Sequence, residues 1–365
     1  MGDRGDKPGY EAMDIAEAGE GAVLRAFANQ VAYCEANGAP VTARVVRGIA
    51  AVLDSEAANA LVERVRRWQG APLADALPLR VAGGIHALHL SGTEKRLARI
   101  YANLYANDAA VLRAVMETRD AELLPWLDGP PQTNEAGRSS NFVAGLLWLA
   151  GRGLPPVFEC LEIGSSAGIN LMLDRYRYNL GGVVVGPDDA AMRFAPDWTG
   201  APPPDRRIGF ALLEGCDVAP VDLTDPAQAL RLRAYIWPEH TVRFERMDAA
   251  IAAANVRAPQ VSAMNAADFV ESRLARPQAE GATRVLMHSI VWQYVPEDQR
   301  ARVTAAMEAA GSLATPERAL AWVRVEANRT VHRHELTVRY WPGGGEEMLL
   351  ARSHAHGASI EWVGA

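Results

Sequence analysis

The feature that most constrains this chain is a change of hydrophobic period near residue 155. Upstream, apolar residues recur at helical spacing: Leu24, Phe27, Val31 and Cys34, then Leu61, Val65 and Trp68, then Leu97, Ile100 and Leu104. Such spacing lines one face of a helix with apolar side chains, so residues 20–150 are expected to form an all-α region. Downstream, short β-rich runs alternate with helical stretches, the pattern of an α/β layer on a mainly parallel sheet spanning 151–365. The expected strands are PVFECLEIG, RIGFALLEGCDV, PQVSAMNA, RVLMHSIVW and ALAWVRVEA. The expected helices between them are GINLMLDRYRY, DPAQALRLRAYIW with VRFERMDAAIAAANV, AADFVESRLAR and PEDQRARVTAAMEAAG. The tail, ELTVRYWPGGGEEMLLARSHAHGASIEWV, reads as an antiparallel closing hairpin of two or three strands.

Local punctuation refines this outline. Ser55 and Thr93 stand at N-cap positions ahead of acidic turns, and Gly38 stands at a helix stop. The glycines of RVAGGIHALHLSG (80–92) suggest a loop or short extended piece, with His86 and His89 as scaffold. Residues 1–19 are expected to be flexible. The segment 186–207, with five prolines and no sustained period, is expected to be an insertion or lid-like loop.

Composition excludes several classes. Cys34, Cys160 and Cys216 are far apart and outside any C-x-x-C pair, which predicts buried thiols and no disulfide framework or cysteine metal site. No apolar run approaches the roughly 20 residues of a membrane helix. The acidic start differs from a signal peptide, so a cytoplasmic location is expected. A net charge of -7 without a Lys/Arg block argues against a broad nucleic-acid surface and favours a small-molecule partner.

LEIGSSAGINL (161–171) supports two chemistries. Gly164-Ser165-Ser166-Ala167-Gly168 is formally the G-x-S-x-G nucleophile elbow of serine hydrolases; a later Asp and one of His332, His334, His354 or His356 would complete the order Ser, acid, His. The helical stretch upstream and the lack of an HGGG-like segment speak against it. Alternatively, a strand enters a glycine-bounded turn and a helix, so that backbone N–H groups face a ligand with Glu162 at the strand's carboxyl end.

Glu162-Ile163-Gly164-Ser165-Ser166-Ala167-Gly168 resembles the first motif of class I S-adenosylmethionine-dependent methyltransferases, an acid followed by G-x-G-x-G, with Ser166 at the middle glycine. The resemblance implies a Rossmann-like methyltransferase sheet and a cofactor held by Glu162, Gly164, Ser165, Ser166 and Gly168. Gly215-Cys216-Asp217-Val218-Ala219-Pro220 is similar to the family's second strand end and implies Asp217 as the ribose acid. A generic spacing of about 20 residues points instead to Asp188 or Asp189, and both options stay open. Asn265-Ala266 resembles the Asp-Ala pair that meets the adenine. Met287 to Tyr294 resembles the fourth strand's end beside the donor methyl, which implies Ser289 at the cofactor, Trp292 and Tyr294 toward the acceptor, and His288 as base, the alternative for His288 being a satisfied buried histidine.

A narrower resemblance covers nearly the whole chain. PQTNEAGRS, the glycine loop with DRYRY, LTDP with LRAYIWPEH, HSIVWQY and the final YWPGG with HG look like the bacterial family catalogued as domain of unknown function 2332. Within these blocks Thr133, Asn134, Glu135 and Arg138 are expected to fold over the crevice, closing on the cofactor or binding the acceptor, or alternatively to form an N-cap and charged first turn. Asp174, Arg175 and Tyr176 are expected on a helix as a salt bridge or solvated face. The pairs His332/His334 and His354/His356 would each present two imidazoles on one strand face, a metal site only if two strands combine; the blander reading is polar surface, and no metal is expected. Trp237-Pro238-Glu239-His240 reads as a helix end and turn whose ring borders the crevice. The expected function is an S-adenosylmethionine-binding, methyltransferase-like protein with a small-molecule acceptor; the alternatives are a non-catalytic binding protein on the same fold and a serine hydrolase using Ser166.

Overall fold

The computed structural model describes residues 16–19, 21–132, 134–328, 330, 331 and 333–364. Readings placed on residues 1–15, Thr133 and His332 therefore fall outside the described residues, and with them most of the expected flexible start.

Among the described residues seven α-helices come first: α1 (Ala22–Ala36), α2 (Pro40–Leu53), α3 (Ala60–Arg66), α4 (Leu77–Leu90), α5 (Ala98–Tyr101), α6 (Asp108–Thr118) and α7 (Asp120–Leu123). α8 (Ser139–Gly151) then leads into β1 (Val157–Ile163), followed by β2 (Tyr176–Leu180), β3 (Val183–Val185), β4 (Met192–Phe194), β5 (Asp197–Thr199) and β6 (Gly209–Asp217). α9 (Pro226–Ala234), α10 (Thr241–Val256), β7 (Gln260–Ala263), α11 (Ala266–Leu274), β8 (Ala282–Ser289) and α12 (Glu297–Ser312) alternate next. β9 (Arg318–Asn328), β10 (Arg333–Trp341), β11 (Met348–Ser353) and β12 (Ser359–Trp362) close the chain.

Two compact units result. One comprises residues 1–133 with 226–244; the other comprises 134–225 with 245–365. The division differs from a single break near residue 150: α8 joins the α/β unit, and the stretch carrying α9 returns to the helical one. Glu239 gives one reason for that return, since its Oε1 accepts from the Val41 and Thr42 amides at 2.6 and 3.0 Å and its Oε2 from the Thr42 hydroxyl at 2.8 Å. These amides open α2, where helix geometry leaves N–H groups without partners and the helix dipole favours a carboxylate. Trp237 packs edge-on to Tyr33 at 6.0 Å within this unit.

In the helical unit Leu77–Leu90 is a full helix, against the expectation of a loop. Its two central glycines mark close packing: a Cβ on Gly83 would lie 2.6 Å from Tyr235, and one on Gly84 2.9 Å from Leu123 and Trp126. The N-caps are Asn59 and Glu94 rather than Ser55 and Thr93. Gly38 does follow the end of α1, with φ +69°.

The α/β unit is built on a nine-stranded sheet of order β5-β12-β11-β10-β9-β8-β1-β6-β7. Strands β7, β6, β1, β8 and β9 run parallel to one another, and β10, β11 and β12 continue as an antiparallel meander, so the sheet is mostly parallel with a C-terminal antiparallel end. β1 is central, pairing Val157 with Gly209 on one side and Ala282 on the other. Because side chains alternate along a strand, Leu161, Ile163, Leu286, Leu320 and Trp322 face one side, where they form a core with Phe269 and Val270 of α11 and Val303 and Met307 of α12. Burying each such side chain contributes roughly 1.5–3 kcal/mol. α8 covers the other side, with Gly145 set against Val323.

Residues Ile169–Arg175 form a seven-residue 3₁₀ helix, and Tyr176 already belongs to β2, where Tyr176, Tyr178 and Leu180 alternate inward. The proline-rich stretch is not a structureless loop: β4 pairs with β2 in a small three-stranded sheet, and β5 pairs with β12 at the edge of the large one.

Candidate functional site

In an open parallel sheet, connections leaving adjacent strands in opposite directions open a crevice beyond their carboxyl ends, where ligands bind. The order β7-β6-β1-β8-β9 places that point between β1, whose chain goes on to β6, and β8, whose chain goes on to β9. The ends of these two strands carry the LEIGSSAG and HSIVW segments. They also carry the two described non-glycine residues of the α/β unit with left-handed backbone, Ser166 at φ +51° and Ile290 at φ +53°. For β-branched Ile290 this conformation is strained by the clash of Cβ with the backbone, and such strain collects at functional sites. The loops interlock: a Cβ on Gly164 would lie 2.3 Å from the Val291 side chain.

Glu162 is 2% exposed and lies at the base of the first loop. Asn170 donates to its Oε1 at 2.9 Å, while Oε2 is buried with no hydrogen-bond partner among the described residues. Burial pushes its carboxyl up to about 7, against the lowering influence of hydrogen bonds from Asn170 and Ser165. An unpartnered buried acceptor costs free energy and is best matched by a ligand that brings a donor. Ser165 ties the turn to its neighbours: its amide donates to Cys216 O at 2.9 Å and its hydroxyl to Glu162 O at 2.9 Å. Gly168 (φ +68°) sits so close to Pro259 and Val261 that a Cβ would approach both to 2.8 Å.

Asp217 ends β6 beside this loop. Its Oδ2 accepts from the Ser166 amide at 2.8 Å and its Oδ1 from the Ala219 amide at 2.9 Å. Asp188 stands elsewhere, exposed and paired with Arg177 beyond β3, and Asp189 is its exposed neighbour. Of the three candidate acids, Asp217 is the one brought to the glycine loop. Asn265 is the N-cap of α11, accepting from the Asp268 amide at 2.9 Å and donating to the Asp268 carboxylate at 2.6 Å; Ala266 is buried behind it.

At the end of β8, His288 is fully buried and Ser289 is 8% exposed. His288 Nδ1 lies 2.6 Å from Glu326 Oε1, its ring stacks on Trp292 at 5.0 Å, and its Nε2 is buried without a hydrogen-bond partner among the described residues. Burial lowers its pKa, with Glu326 acting in the opposite sense, so the ring is neutral near pH 7. Tyr294 is 74% exposed.

The acceptor-side block divides. Asn134 reaches the loop, donating to Ser165 O at 2.7 Å. Glu135 accepts from Arg246 at 3.2 Å and from the Gly137 amide at 3.3 Å, and Arg138 donates to Ala355 O at 2.9 Å. Arg138 thus ties the 135–138 turn to the 354–357 turn, where a Cβ on Gly137 would lie 2.4 Å from His356 O, and Glu135 ties it to α10.

The chain belongs to the family described as an uncharacterized protein conserved in bacteria (DUF2332), matched over residues 24–362. No curated protein and no solved structure matches it.

The remaining family blocks have structural places. Asp174 pairs with Arg257, and Arg175 donates to Ala253 O at 2.7 Å, which matches the salt-bridge reading. His354 and His356 lie in the turn between β11 and β12 with rings 5.4 Å apart, so they do not share a strand face. Among the described residues no group of three or more His, Cys, Asp or Glu is placed to hold a metal ion. Nor does a described histidine bond Ser166, whose hydroxyl is buried without a partner; a nucleophile elbow needs a base within hydrogen-bond reach. The three cysteines are buried free thiols, with burial raising Cys216 to about 12. Among the described residues no helix is long and apolar enough to cross a membrane. A cavity of about 540 Å³ beside β2 and β3, lined by Arg177, Tyr178, Arg207 and Phe210 among others, shares no lining residue with the glycine loop.

Sequence reading missed Glu326. It lay inside an expected strand, and only the parallel register of β8 with β9, which pairs Ser289 with Val325, brings it beside His288.

Proposed function

We propose that this chain is a cytoplasmic S-adenosylmethionine-binding protein of methyltransferase type acting on a small-molecule acceptor. The observation that carries the reading is the glycine loop at the switch between β1 and β8, with the buried, half-satisfied carboxylate of Glu162 beneath it. The strand order β7-β6-β1-β8-β9 corresponds to the 3-2-1-4-5 order of Rossmann-like sheets, numbering the parallel strands in chain order.

The residues present fit the cofactor. Gly164 and Gly168 let the loop turn tightly against Val291, Pro259 and Val261, and Glu162 offers an acceptor to the cofactor's ammonium group. Asp217 keeps lone pairs beyond its two amide bonds for ribose hydroxyls. Asn265 and Ala266 stand at the adenine side, Ser289 at the second loop, and Asn134, Trp292 and Tyr294 toward the acceptor, with His288 as base; Glu135 and Arg138 support Asn134's turn. When bound, the cofactor supplies an activated methyl group; the protein's part is alignment and proton removal.

Calorimetric titration with S-adenosylmethionine and S-adenosylhomocysteine tests this. Saturable binding is expected, weakened about ten- to a hundredfold by Glu162→Ala, since a charged hydrogen bond is lost, and abolished by Gly164→Trp or Gly168→Trp. No binding of either ligand to the folded wild-type chain sinks the proposal. A second reading, a non-catalytic binding protein, is favoured by Ser166 at a glycine position with its amide taken by Asp217, and by the Asn265 amide engaged with Asp268. Binding without turnover over a broad acceptor panel would select it.

A further inference from the structure

We infer that Glu326 is a positioning carboxylate that holds His288 with its proton on Nδ1, leaving Nε2 to take a proton from the hydroxyl or N–H group of a neutral acceptor. This rests on the cofactor reading above and adds to it both the residue that orients the base and the class of acceptor.

The geometry around Glu326 is specific. One oxygen, Oε1, gathers His288 Nδ1 at 2.6 Å and the amides of Val291 and Trp292 at 3.2 Å each. The two amides can only donate, and a carboxylate can only accept. The bond to His288 therefore places the imidazole proton on Nδ1, and the lone pair falls on Nε2, the ring nitrogen without a partner. The same carboxylate fixes the turn after β8 in which Ile290 is strained and on whose Trp292 the ring stacks. A simple structural histidine would use both nitrogens or face water; this one is fully buried with one nitrogen unused.

The charges nearby suit a proton acceptor. Glu326 is the anion facing the ring, and Arg324, two residues earlier on β9, is the cation acting on it; Trp292 and Trp322 supply uncharged walls. Arg324 is itself paired with Glu347. When an acceptor O–H or N–H bond breaks, its electron pair stays on the oxygen or nitrogen, the proton bonds Nε2, and the imidazolium charge faces Glu326. An acceptor already ionised near pH 7, such as a carboxylate, has no proton to give and no use for this arrangement.

Two measurements test the inference. In ¹⁵N spectra of histidine-labelled protein, with His288 assigned by its loss in His288→Gln, an Nδ1–H ring with unprotonated Nε2 is expected, neutral at pH 7. This arm needs no ligand. Turnover is read as S-adenosylhomocysteine released from S-adenosylmethionine with catechol, phenol, imidazole and benzoate. The hydroxyl and N–H compounds are expected to react and benzoate not to. Glu326→Gln is expected to lower kcat about 100-fold, the range of a general base, while leaving the cofactor KM within about twofold, with the pH profile displaced and partial recovery in Glu326→Asp. An Nε2–H ring in the wild type, a Glu326→Gln variant with unchanged kcat and pH profile, or turnover of benzoate alone overturns the inference. Failure to bind S-adenosylhomocysteine overturns the cofactor reading instead, and the spectra still decide the dyad.

Discussion

Two buried histidines, one in each unit, invite comparison. His86 in α4 stacks on Tyr101 at 4.9 Å, and His288 at the end of β8 stacks on Trp292 at 5.0 Å. Burial depresses both pKa values, His86 down to about 4. Their partners separate them. His86 Nδ1 meets a main-chain carbonyl, that of Ala234 at 3.0 Å, inside a run of stacked rings that continues through Tyr101 to His89. His288 Nδ1 meets a carboxylate that also pins a strained turn. A carbonyl fixes a tautomer and no more; a carboxylate also stabilises the charge that a proton would bring. Burial and stacking alone thus say little about role, and the partner's charge and place in the sheet say much.

Glu326→Ala removes the acceptor of three donors, and leaving such groups unmatched is expected to cost roughly 4 kcal/mol in urea unfolding. A loss below about 1 kcal/mol would place Glu326 with ordinary surface carboxylates.

Glu162 supplies the second test. Its folded pKa is raised from 4.5 to about 7, so the folded state holds a proton that the unfolded chain has released. Its stabilising contribution is full below about 4.5 and lost as pH rises through about 7. Glu162→Gln keeps the shape without the charge. It should be more stable than the parent by about 3 kcal/mol at pH 8 and by under about 1 kcal/mol at pH 5, read from urea curves at both pH values.

His86 has the opposite sign. Its folded pKa is lowered from 6.5 to about 4, so below 6.5 the unfolded chain takes up a proton that the folded state refuses, and stability falls with pH. Relative to its own value at pH 8, His86→Phe should lose about 2.5 kcal/mol less than the parent at pH 4.5. The smallest effect sharpens the contrast: S-adenosylhomocysteine affinity should change by less than about twofold in His86→Phe, within a few tenths of a kcal/mol, because His86 belongs to scaffold. A tenfold loss would overturn that assignment.

Legibility from the sequence followed the range of the forces involved. The five parallel strands were readable because each is a short run set between helical stretches, with β1 and β8 almost wholly buried, and Cys34, Cys160 and Cys216 because isolated thiols are usually core. Leu77–Leu90 was not, because Gly83 and Gly84 look like breakers until Tyr235 and Trp126 are seen against them. Residues 186–207 hid β4 and β5, whose three-residue strands depend on partners in distant segments. At the site, the glycine loop, Asp217 and His288 were visible as motif positions. Glu326 was not, since its role exists only through the register of β8 on β9.

Cofactor binding as proposed requires the ends of β1, β6 and β8 to form one crevice. A crystal structure of the chain with S-adenosylhomocysteine tests it most directly. The ligand is expected over Gly164–Gly168, its ammonium at Glu162 Oε2 and its ribose at Asp217. Ligand bound elsewhere on the molecule, with Glu162 and Asp217 untouched, would contradict it.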